Sequence, residues 1–323
     1  LVPPAGSDTW DDVLLDDTAG TTFMFDYEGV TGYGDVAGSD PVVQGQGVWL
    51  ASTDNFVWTM GGDPDEDTIN VPTMVGWNLI GYPIWFAGGL EGVSVEHSGI
   101  QYLWTDAVAA GLVSPFVYDY DGNTDSYTPV TALEPWRGYW MASHVAGVTI
   151  QFNYRSMLAA PTALPVASAA GSTRLPLLVQ AAPADEKDKA GDPDWQLNIA
   201  LAQDGTEVAI GQAAGATAGF DAAFDLPVPP SSPSSVAKAT LDVRHPEWNL
   251  ACGSIFFSDL VGLSGDPMEW NLTLTAPEPS QVTLQWDGNA LPAGLDLQVY
   301  LPGENRVAVM SVRSETGFQV DVG

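Results

Sequence analysis

The chain has 323 residues, 45% of them hydrophobic, which is enough to fill the cores of about two or three ordinary domains. Nine Lys and Arg against 41 Asp and Glu give a formal net charge of -32, and this field excludes nucleic acid and anionic lipid as expected partners. The sequence contains no apolar run of the roughly 18 residues that a membrane span needs, so we expect no transmembrane segment.

The acidity has two competing explanations. It is either an adaptation to salty or acidic surroundings, which we favour, or part of a specific cation-binding role. Identical copies repel one another in dilute salt, and close packing of copies needs screening or bridging cations. The charge therefore predicts that any self-association strengthens with salt or divalent cations.

The first half of the chain contains an internal repeat. FMFDYEG at residues 23–29 matches FVYDYDG at 116–122, a separation of 93 residues, and GVWLAS at 47–52 matches GYWMAS at 138–143, a separation of 91. The copies therefore differ by a small insertion or deletion in the loop between the two motifs. Short runs of β-branched and aromatic residues alternate with DG, EG and GG pairs, which predicts strands and turns.

The two copies, over about residues 10–60 and 76–153, are predicted to form one β-rich domain over residues 1–155. One segment departs from the strand pattern. TDAVAAGL at residues 105–112 offers a Thr or Asp as an N-cap, an Ala-rich middle and a Gly that can end a helix. We therefore predict one short helix there.

Residues 156–172 lose their aromatics and fill with Ala, Pro and Ser, which predicts a linker between domains. Residues 173–323 are predicted to form a β-sandwich of the immunoglobulin or fibronectin kind, because strand-length segments follow one another at close spacing. The proline-rich loop 225–238 is expected to cross between sheets or to cover an edge. The predicted strands are LPLLVQAA, WQLNIALAQ, TEVAIGQA, ATLDVR, SIFFSDL, WNLTLTA, QVTLQW, LDLQVYL, RVAVMSV and FQVDV.

Catalytic patterns are missing from the sequence. GLSGD at residues 262–266 does not satisfy the G-x-S-x-G nucleophile elbow. His97, His144 and His245 lie in unrelated segments with neither HExxH spacing nor a cysteine partner, so we interpret them as satisfied surface or loop histidines. Cys252 is the sole cysteine, which rules out an intrachain disulfide and indicates a small buried residue. We expect no enzymatic activity.

An acidic stretch offers a candidate metal site. Asp119, Asp121, Asn123 and Asp125 occupy every second position, as the ligands of a calcium loop do. Counted from Asp119, however, the stretch lacks the Gly at the sixth position and the acid at the twelfth that a helix-flanked calcium loop uses. We interpret the stretch as the turn of a β-hairpin, and calcium binding by these four residues is the alternative.

The twelve tryptophans allow a binding surface. Trp136, Arg137 and Tyr139 could present an aromatic platform and a hydrogen-bonding fork to a sugar ring or to a partner. Trp140 matches Trp49 in the repeat and is expected to lie in the core. Trp136 has no match in the first copy, and it is the residue that we expect to be exposed.

These segments resemble a known group of proteins. GWNLIGYP, a short helix, a YDYDG hairpin, LEPWRGYW and GVTIQF resemble a β-rich module of large secreted and cell-surface bacterial proteins, especially those exported by the type IX route. At Trp136 the resemblance leads us to expect a small residue such as Gly. The second half resembles the sandwich that often precedes the sorting domain in such proteins. The resemblance implies an extracellular location, after removal of an export signal, and an architecture without an activity.

The sequence therefore leads to a functional hypothesis. We expect a secreted, non-enzymatic structural or adhesive protein of the bacterial surface that assembles into a fibre, tube or layer, with copies of itself or other surface proteins as partners. Its sheet edges or N-terminal arm would complete a neighbour's sheet. The alternative hypothesis is a carbohydrate-binding module from a larger secreted enzyme, with glycans as partners. No cofactor is expected other than calcium.

Overall fold

The computed structural model describes residues 9–11, 22–52, 68–159, 193–203, 206–221, 223–233, 238–263, 268–300 and 308–322. These residues form many β-strands in several sheets with only two short helices, which confirms the predicted all-β fold. The chain divides into two compact units. The first unit comprises Leu1–Ser168 together with Pro229–Ser235, and the second comprises Ala169–Val228 and Val236–Gly323.

The first unit contains two four-stranded sheets, β10-β9-β12-β5 and β4-β13-β7-β8, a three-stranded sheet β2-β1-β3 and a small pair β11-β6. Their strands are β1 Thr22–Tyr27, β2 Tyr33–Asp35, β3 Trp49–Ser52, β4 Thr68–Pro72, β5 Gly76–Gly81, β6 Gly88–Gly89, β7 Val93–His97, β8 Ile100–Leu103, β9 Val113–Asp121, β10 Ser126–Val130, β11 Ala132–Leu133, β12 Gly138–Ser143 and β13 Val148–Asn153.

The main core of the first unit is built by strand alternation. On β13, Val148, Ile150 and Phe152 are buried while the residues between them are half-buried, as expected when one face of a strand packs on a core. β12 differs, because five of its six residues are buried and both of its faces are covered. This coverage buries Tyr139, the one predicted site residue on that strand.

Matched residues of the two copies of the repeat occupy equivalent positions in the strand register. Phe25 of β1 lies opposite Trp49 of β3, and the corresponding residues of the second copy, Tyr118 of β9 and Trp140 of β12, lie opposite each other as well. The hairpins β1-β2 and β9-β10 are equivalent in the same way, because Tyr27 pairs with Tyr33 and Tyr120 pairs with Tyr127. The two copies therefore share one antiparallel pairing pattern as well as their sequence.

The predicted helix is present, but it begins differently. Helix α1, Trp104–Ala109, follows Leu103, whose side chain makes no cap, so the predicted Thr or Asp N-cap is wrong. The buried side chains of Trp104 and Ala107 lie three residues apart on one face and hold the helix on the core. Gly111, with φ +68°, follows the helix in the left-handed conformation, as predicted.

A second helix was not predicted. Helix α2, Tyr154–Ala159, contains the first residues of the predicted 156–172 linker, so that linker cannot begin at 156. Most of the predicted linker falls in residues 160–192, which lie outside the described residues. Short 3-10 turns also occur at Gly29–Thr31, Leu90–Gly92, Pro246–Trp248 and Gly288–Ala290.

The second unit contains a five-stranded sheet, β18-β15-β14-β20-β23, a three-stranded sheet β17-β16-β19 and a pair β21-β22. All described pairings in it are antiparallel except that of β15 with β18. Its strands are β14 Pro193–Leu201, β15 Glu207–Ala213, β16 Thr240–Arg244, β17 Ile255–Phe256, β18 Ser258–Val261, β19 Leu272–Thr275, β20 Ser280–Trp286, β21 Gln298–Tyr300, β22 Ala308–Ser311 and β23 Gly317–Val322.

The predicted strand segments from WQLNIALAQ onward each overlap at least one of these strands, while LPLLVQAA lies outside the described residues. Trp270, Leu272 and Leu274 pack together against the core of the second unit, as their alternation predicted. Cys252 is buried, as expected, and burial raises the pKa of its thiol to about 11. The loop after Asp225 covers an edge as predicted, because Pro227 bridges to Phe256 of β17.

Candidate functional site

Six aromatic residues of the first unit form a cluster that we call the aromatic box. Each copy of the repeat contributes two tyrosines from its hairpin and one tryptophan from the following strand of its motif. In each hairpin the two tyrosines lie directly opposite each other, which places their rings side by side on one face. The box consists of Tyr27, Tyr33 and Trp49 from the first copy and Tyr120, Tyr127 and Trp140 from the second.

In the box, a tyrosine of each copy packs against the tryptophan of the other copy. The ring of Tyr27 meets the edge of Trp140 at a centroid distance of 4.7 Å, and the ring of its counterpart Tyr120 meets Trp49, the counterpart of Trp140, at 4.5 Å. Both pairs are near perpendicular, the arrangement in which aromatic quadrupoles attract. This reciprocal exchange of contacts is the signature of an isologous, two-fold interface. The box therefore has approximate two-fold symmetry.

A proline-rich segment of the same compact unit lies on the box. The Tyr127 hydroxyl donates to the carbonyl oxygen of Pro230 at 2.5 Å, and the Tyr33 hydroxyl donates to the carbonyl of Ser231 at 2.7 Å. Tyr33 and Tyr127 are equivalent positions of the repeat, so the two halves of the box bind two successive carbonyls. Ser232, buried here, is hydrogen-bonded to Tyr120, which in turn donates to Asp125 at 2.9 Å.

Burial fixes the protonation of these tyrosines. It raises the pKa of Tyr33 and of Tyr127 well above the ordinary value, so both hydroxyls stay protonated as donors. The indole N–H groups of Trp49 and Trp140 lie beside the oxygens of Tyr33 and Tyr127 and lower these pKa values to a smaller degree. Neither indole reaches the geometry of a full hydrogen bond. The hydroxyl hydrogens are therefore directed at the bound segment.

The acidic stretch is the turn of a hairpin, as interpreted from the sequence. β9 and β10 pair antiparallel on either side of it. The Asp121 carboxylate accepts the backbone N–H of Asn123 at 2.9 Å and the Thr124 hydroxyl at 3.1 Å, and the first of these contacts does most to lower its pKa. Asp119 pairs with Arg137, and Asp125 accepts from the Tyr120 hydroxyl.

These internal partners bear on the calcium alternative. The oxygens of Asp119, Asp121 and Asp125 bind groups of the protein itself. Across the described ranges, no group of three or more His, Cys, Asp or Glu side chains is arranged to hold a metal ion. Calcium binding by Asp119, Asp121, Asn123 and Asp125 remains a prediction.

The predicted aromatic platform is only partly present. Trp136 is 59% exposed, as expected, while Tyr139 is 2% exposed and its hydroxyl accepts the N–H of Glu134, so Tyr139 cannot join a surface platform. The physical reason is that β12 is covered on both faces, which buries Tyr139 as well as Trp140. Arg137 is exposed and pairs with Glu134 at 3.1 Å and with Asp119.

A second exposed tryptophan, Trp85, follows β5, which pairs with β12. Gly138 pairs with Gly81, and the N–H of Tyr82 donates to the carbonyl of Arg137 at 3.0 Å. Trp85, 55% exposed, follows three residues after Tyr82. The segments that carry Trp85 and Trp136 therefore leave neighbouring strands at the same end of the sheet.

In the second unit, His245 contacts one buried and one exposed acid. The Nε2 atom of His245 lies 3.0 Å from the buried carboxylate of Asp259, its Nδ1 lies 2.7 Å from Glu247, and its ring stacks on Trp248 at 3.7 Å. Burial raises the pKa of Asp259, and the neighbouring His245 lowers it. His245 is thus a satisfied histidine, as interpreted from the sequence.

A further buried acid, Asp225, joins the preceding loop to β18. Its carboxyl accepts the N–H groups of Leu260 at 3.2 Å and of Asp221 at 2.6 Å, and burial raises its pKa to about 8. The neighbouring Ser258 hydroxyl donates to the carbonyl of Phe224 and accepts the N–H of Leu226, so it is occupied by structural bonds. These groups fasten the loop rather than present a nucleophile.

Comparisons of this chain with protein-family models, with curated proteins and with solved structures found no match. Within the part of the chain that the structure describes, no helix has the length and apolar character that crossing a bilayer requires. The box and its bound segment are therefore interpreted from their own geometry.

The sequence interpretation missed Tyr33, Tyr127 and the segment at residues 229–233 as members of one site. Tyr127 follows Tyr33 by 94 residues, one more than the offset of 93 between Tyr27 and Tyr120, because the second hairpin turn is one residue longer. The sequence did contain a usable signal: two matched hairpin tyrosines and, elsewhere in the chain, a PVPPSSP loop. Because proline-rich segments bind aromatic surfaces, these two features together could have predicted the contact.

Proposed function

We propose that this chain is a secreted, non-enzymatic structural or adhesive protein of the bacterial surface that self-associates into a fibre, tube or layer. The observation that carries the proposal is the occupied aromatic box, whose two equivalent tyrosines bind the backbone of a proline-rich segment. Such a surface recognises polypeptide rather than a small reactive molecule. Export and a surface location rest on the resemblance to modules of the type IX route.

An open sheet edge adds to the support. β8 pairs with β7 on one side and has no strand on its other side among the described residues. It exposes Ile100 and Leu103, which are 56% and 59% accessible. Unpaired, apolar edge strands can pair with a strand of a neighbouring molecule.

Negative-stain electron microscopy and sedimentation of the full chain at low salt, at about 1 M salt and with calcium test this function. We expect ordered assemblies that increase with ionic strength, because screening weakens the repulsion between copies of charge -32. Monomers under every condition would contradict self-assembly.

A second function, carbohydrate binding, is favoured by the two exposed tryptophans Trp85 and Trp136. Indole faces stack on the apolar faces of sugar rings, and two of them on adjacent segments can bind successive rings. A glycan array tests this alternative with the unmodified chain and with Trp85→Ala and Trp136→Ala. Leu103→Ala, which removes an equally exposed apolar side chain, is the control. Binding that survives both tryptophan changes, or no binding at all, would count against it.

A further inference from the structure

We propose that the aromatic box is an exchange receptor: it accepts residues 229–233 of a second copy of this chain in place of its own. The inference rests on the proposed self-association and names the contact that would produce it. The partner is thus a second copy, and the recognised element is its proline-rich segment.

The contacts by which the box binds the segment all fall on a few consecutive residues. The two directional bonds run from Tyr127 and Tyr33 to the carbonyls of Pro230 and Ser231, and the third contact joins Ser232 to Tyr120. Each of these partner groups lies within three consecutive residues. A second copy therefore offers the box the same contacts as the chain's own segment.

The segment is also prepared for binding. Pro229 and Pro230 each fix their own φ, and each proline restricts the residue before it to extended conformations. Little conformational entropy is lost when such a segment binds, which is the physical basis of proline-rich recognition by aromatic surfaces. Pro229 and Ser232 are buried where the segment lies on the box, so the contact includes close packing as well as directional hydrogen bonds.

Connectivity turns this exchange into a route to assembly. Residues Pro229–Ser235 belong to the first unit, while the chain on both sides of them, Ala169–Val228 and Val236–Gly323, belongs to the second. A copy that donates its segment therefore brings its own second unit with it and leaves its own box open. Each copy has one receptor and one segment, so repeated exchange links copies head to tail, into an open chain unless the rotation between copies closes a ring.

The balance between self-occupation and exchange depends on concentration and charge. The chain's own segment has a high effective concentration, which favours the monomer in dilute solution. Repulsion between copies of charge -32 favours the monomer further at low salt. Exchange therefore increases with protein concentration and with ionic strength.

Two complementary variants of the full chain test the exchange. Tyr33→Phe with Tyr127→Phe removes both hydroxyl donors but keeps the segment intact, and Pro229→Gly with Pro230→Gly disables the segment but keeps the box. Each variant alone is expected to stay monomeric under conditions in which the unmodified chain assembles. The double Phe variant loses two hydrogen bonds, which weakens the contact about 30-fold. The double Gly variant keeps these bonds but loses the restriction that prepares its segment for binding. Mixed together, they are expected to form one-to-one pairs of defined size.

The outcomes separate this inference from the proposed function. If the unmodified chain assembles but the mixture gives no pairs, or either variant alone still assembles fully, exchange is overturned while self-association stands. If the unmodified chain does not assemble, self-association fails, and pairs in the mixture would still support exchange. Tyr102→Phe with Tyr154→Phe, two tyrosines outside the box, is the matched control and is expected to assemble normally.

A peptide measurement keeps the test valid if a variant does not fold. A synthetic peptide of residues 227–233 is expected to break up assemblies of the unmodified chain and to change its tryptophan fluorescence, since Trp49 and Trp140 lie in the box. The same peptide with both prolines at 229 and 230 replaced by Gly is expected to act at least tenfold more weakly. Equal action of the two peptides, or none from either, would contradict the proposal.

Discussion

Trp136 combines two unfavourable properties at the scale of a single residue. Its φ of +69° lies in the left-handed region that favours glycine, and its large apolar side chain is 59% exposed. The small residue that we expected at this position would suit this backbone conformation. Glycine would relieve this backbone strain, because it adopts the left-handed conformation without a Cβ clash.

Replacing Trp136 by Gly should therefore stabilise the first unit. We expect Trp136→Gly to raise the free energy of unfolding by about 1 kcal/mol, because Gly adopts the left-handed conformation without a Cβ clash. Denaturant unfolding followed by circular dichroism measures the change. Trp85→Gly is the matched control, since Trp85 is similarly exposed at an ordinary φ, and it should lower stability. A loss of stability in both variants would contradict the conclusion that the backbone at Trp136 is strained.

Asp225 makes a pH prediction at the same scale. The folded protein binds this proton more tightly than the unfolded chain, whose carboxyl has the ordinary pKa of about 4. The resulting stabilisation is complete below about pH 4 and is lost as the pH rises through the folded pKa of about 8. We therefore expect the thermal midpoint of the second unit to fall less between pH 5 and about pH 8 in Asp225→Asn than in the unmodified chain.

Asp296→Asn is the control for this measurement. Hydrogen bonds, the one from Ser311 first, lower the pKa of the exposed Asp296, so its contribution is lost only as the pH falls below about 4. Its removal should leave the slope between pH 5 and 8 unchanged. An Asp225→Asn variant with the same slope as the unmodified chain would contradict the assignment.

Close backbone contact joins the two copies of the repeat at the scale of the elements. Residues 45–47 of the first copy run along β5 of the second, where the N–H of Gly47 donates to Leu79 and the N–H of Gly81 donates to Gly45. A Cβ at Gly81 would lie 2.6 Å from the carbonyl oxygen of Gln46, a distance that forces the backbones apart. This contact is possible only because glycine occupies position 81.

Gly81→Ala should separate the two copies locally. We expect a loss of about 2 kcal/mol in the free energy of unfolding, since the clash is with backbone rather than with a flexible side chain. Gly138 lies directly opposite Gly81 on β12, and a Cβ there would have its nearest neighbour at 3.6 Å. Gly138→Ala is thus the matched control, with a change within about 0.5 kcal/mol. Equal losses in the two variants would show that the close approach is unimportant.

Elements were predictable where a local pattern decides them. The matched FDYEG and YDYDG motifs anticipated the hairpins, and the alternation of Trp270, Leu272 and Leu274 anticipated a half-buried strand. The N-cap of α1 and the burial of Tyr139 were missed, because tertiary packing decides both. The contact of Tyr127 with Pro230 joins residues 103 positions apart, a separation that no local pattern encodes.

The charge of -32 governs behaviour at the scale of the whole molecule. Raising salt from about 0.1 M to 1 M shortens the screening length from roughly 10 Å to 3 Å, less than the width of a strand pair. Surfaces that repel at low salt can then approach to contact distance. If the acidity is an adaptation to salty surroundings, which we favour, cations act only by screening the charge. If the acidity serves a cation-binding role, cations must bind at defined sites.

Sodium and calcium chloride at matched ionic strength distinguish these explanations. We expect the same degree of assembly in both salts, measured by sedimentation, because screening depends on ionic strength rather than on the identity of the cation. Assembly by millimolar calcium, with no effect of sodium at the same ionic strength, would instead indicate bridging carboxylates.

The approximate two-fold symmetry of the aromatic box has a consequence for the direction of what it binds. Tyr33 and Tyr127 are interchanged by the symmetry, and each donates to one of two successive carbonyls. Reversing the polarity of the peptide interchanges the same two carbonyls. A receptor made by duplication therefore lacks a built-in sense of N-terminus and C-terminus, and the flanking contact of Tyr120 with Ser232 is what selects one orientation.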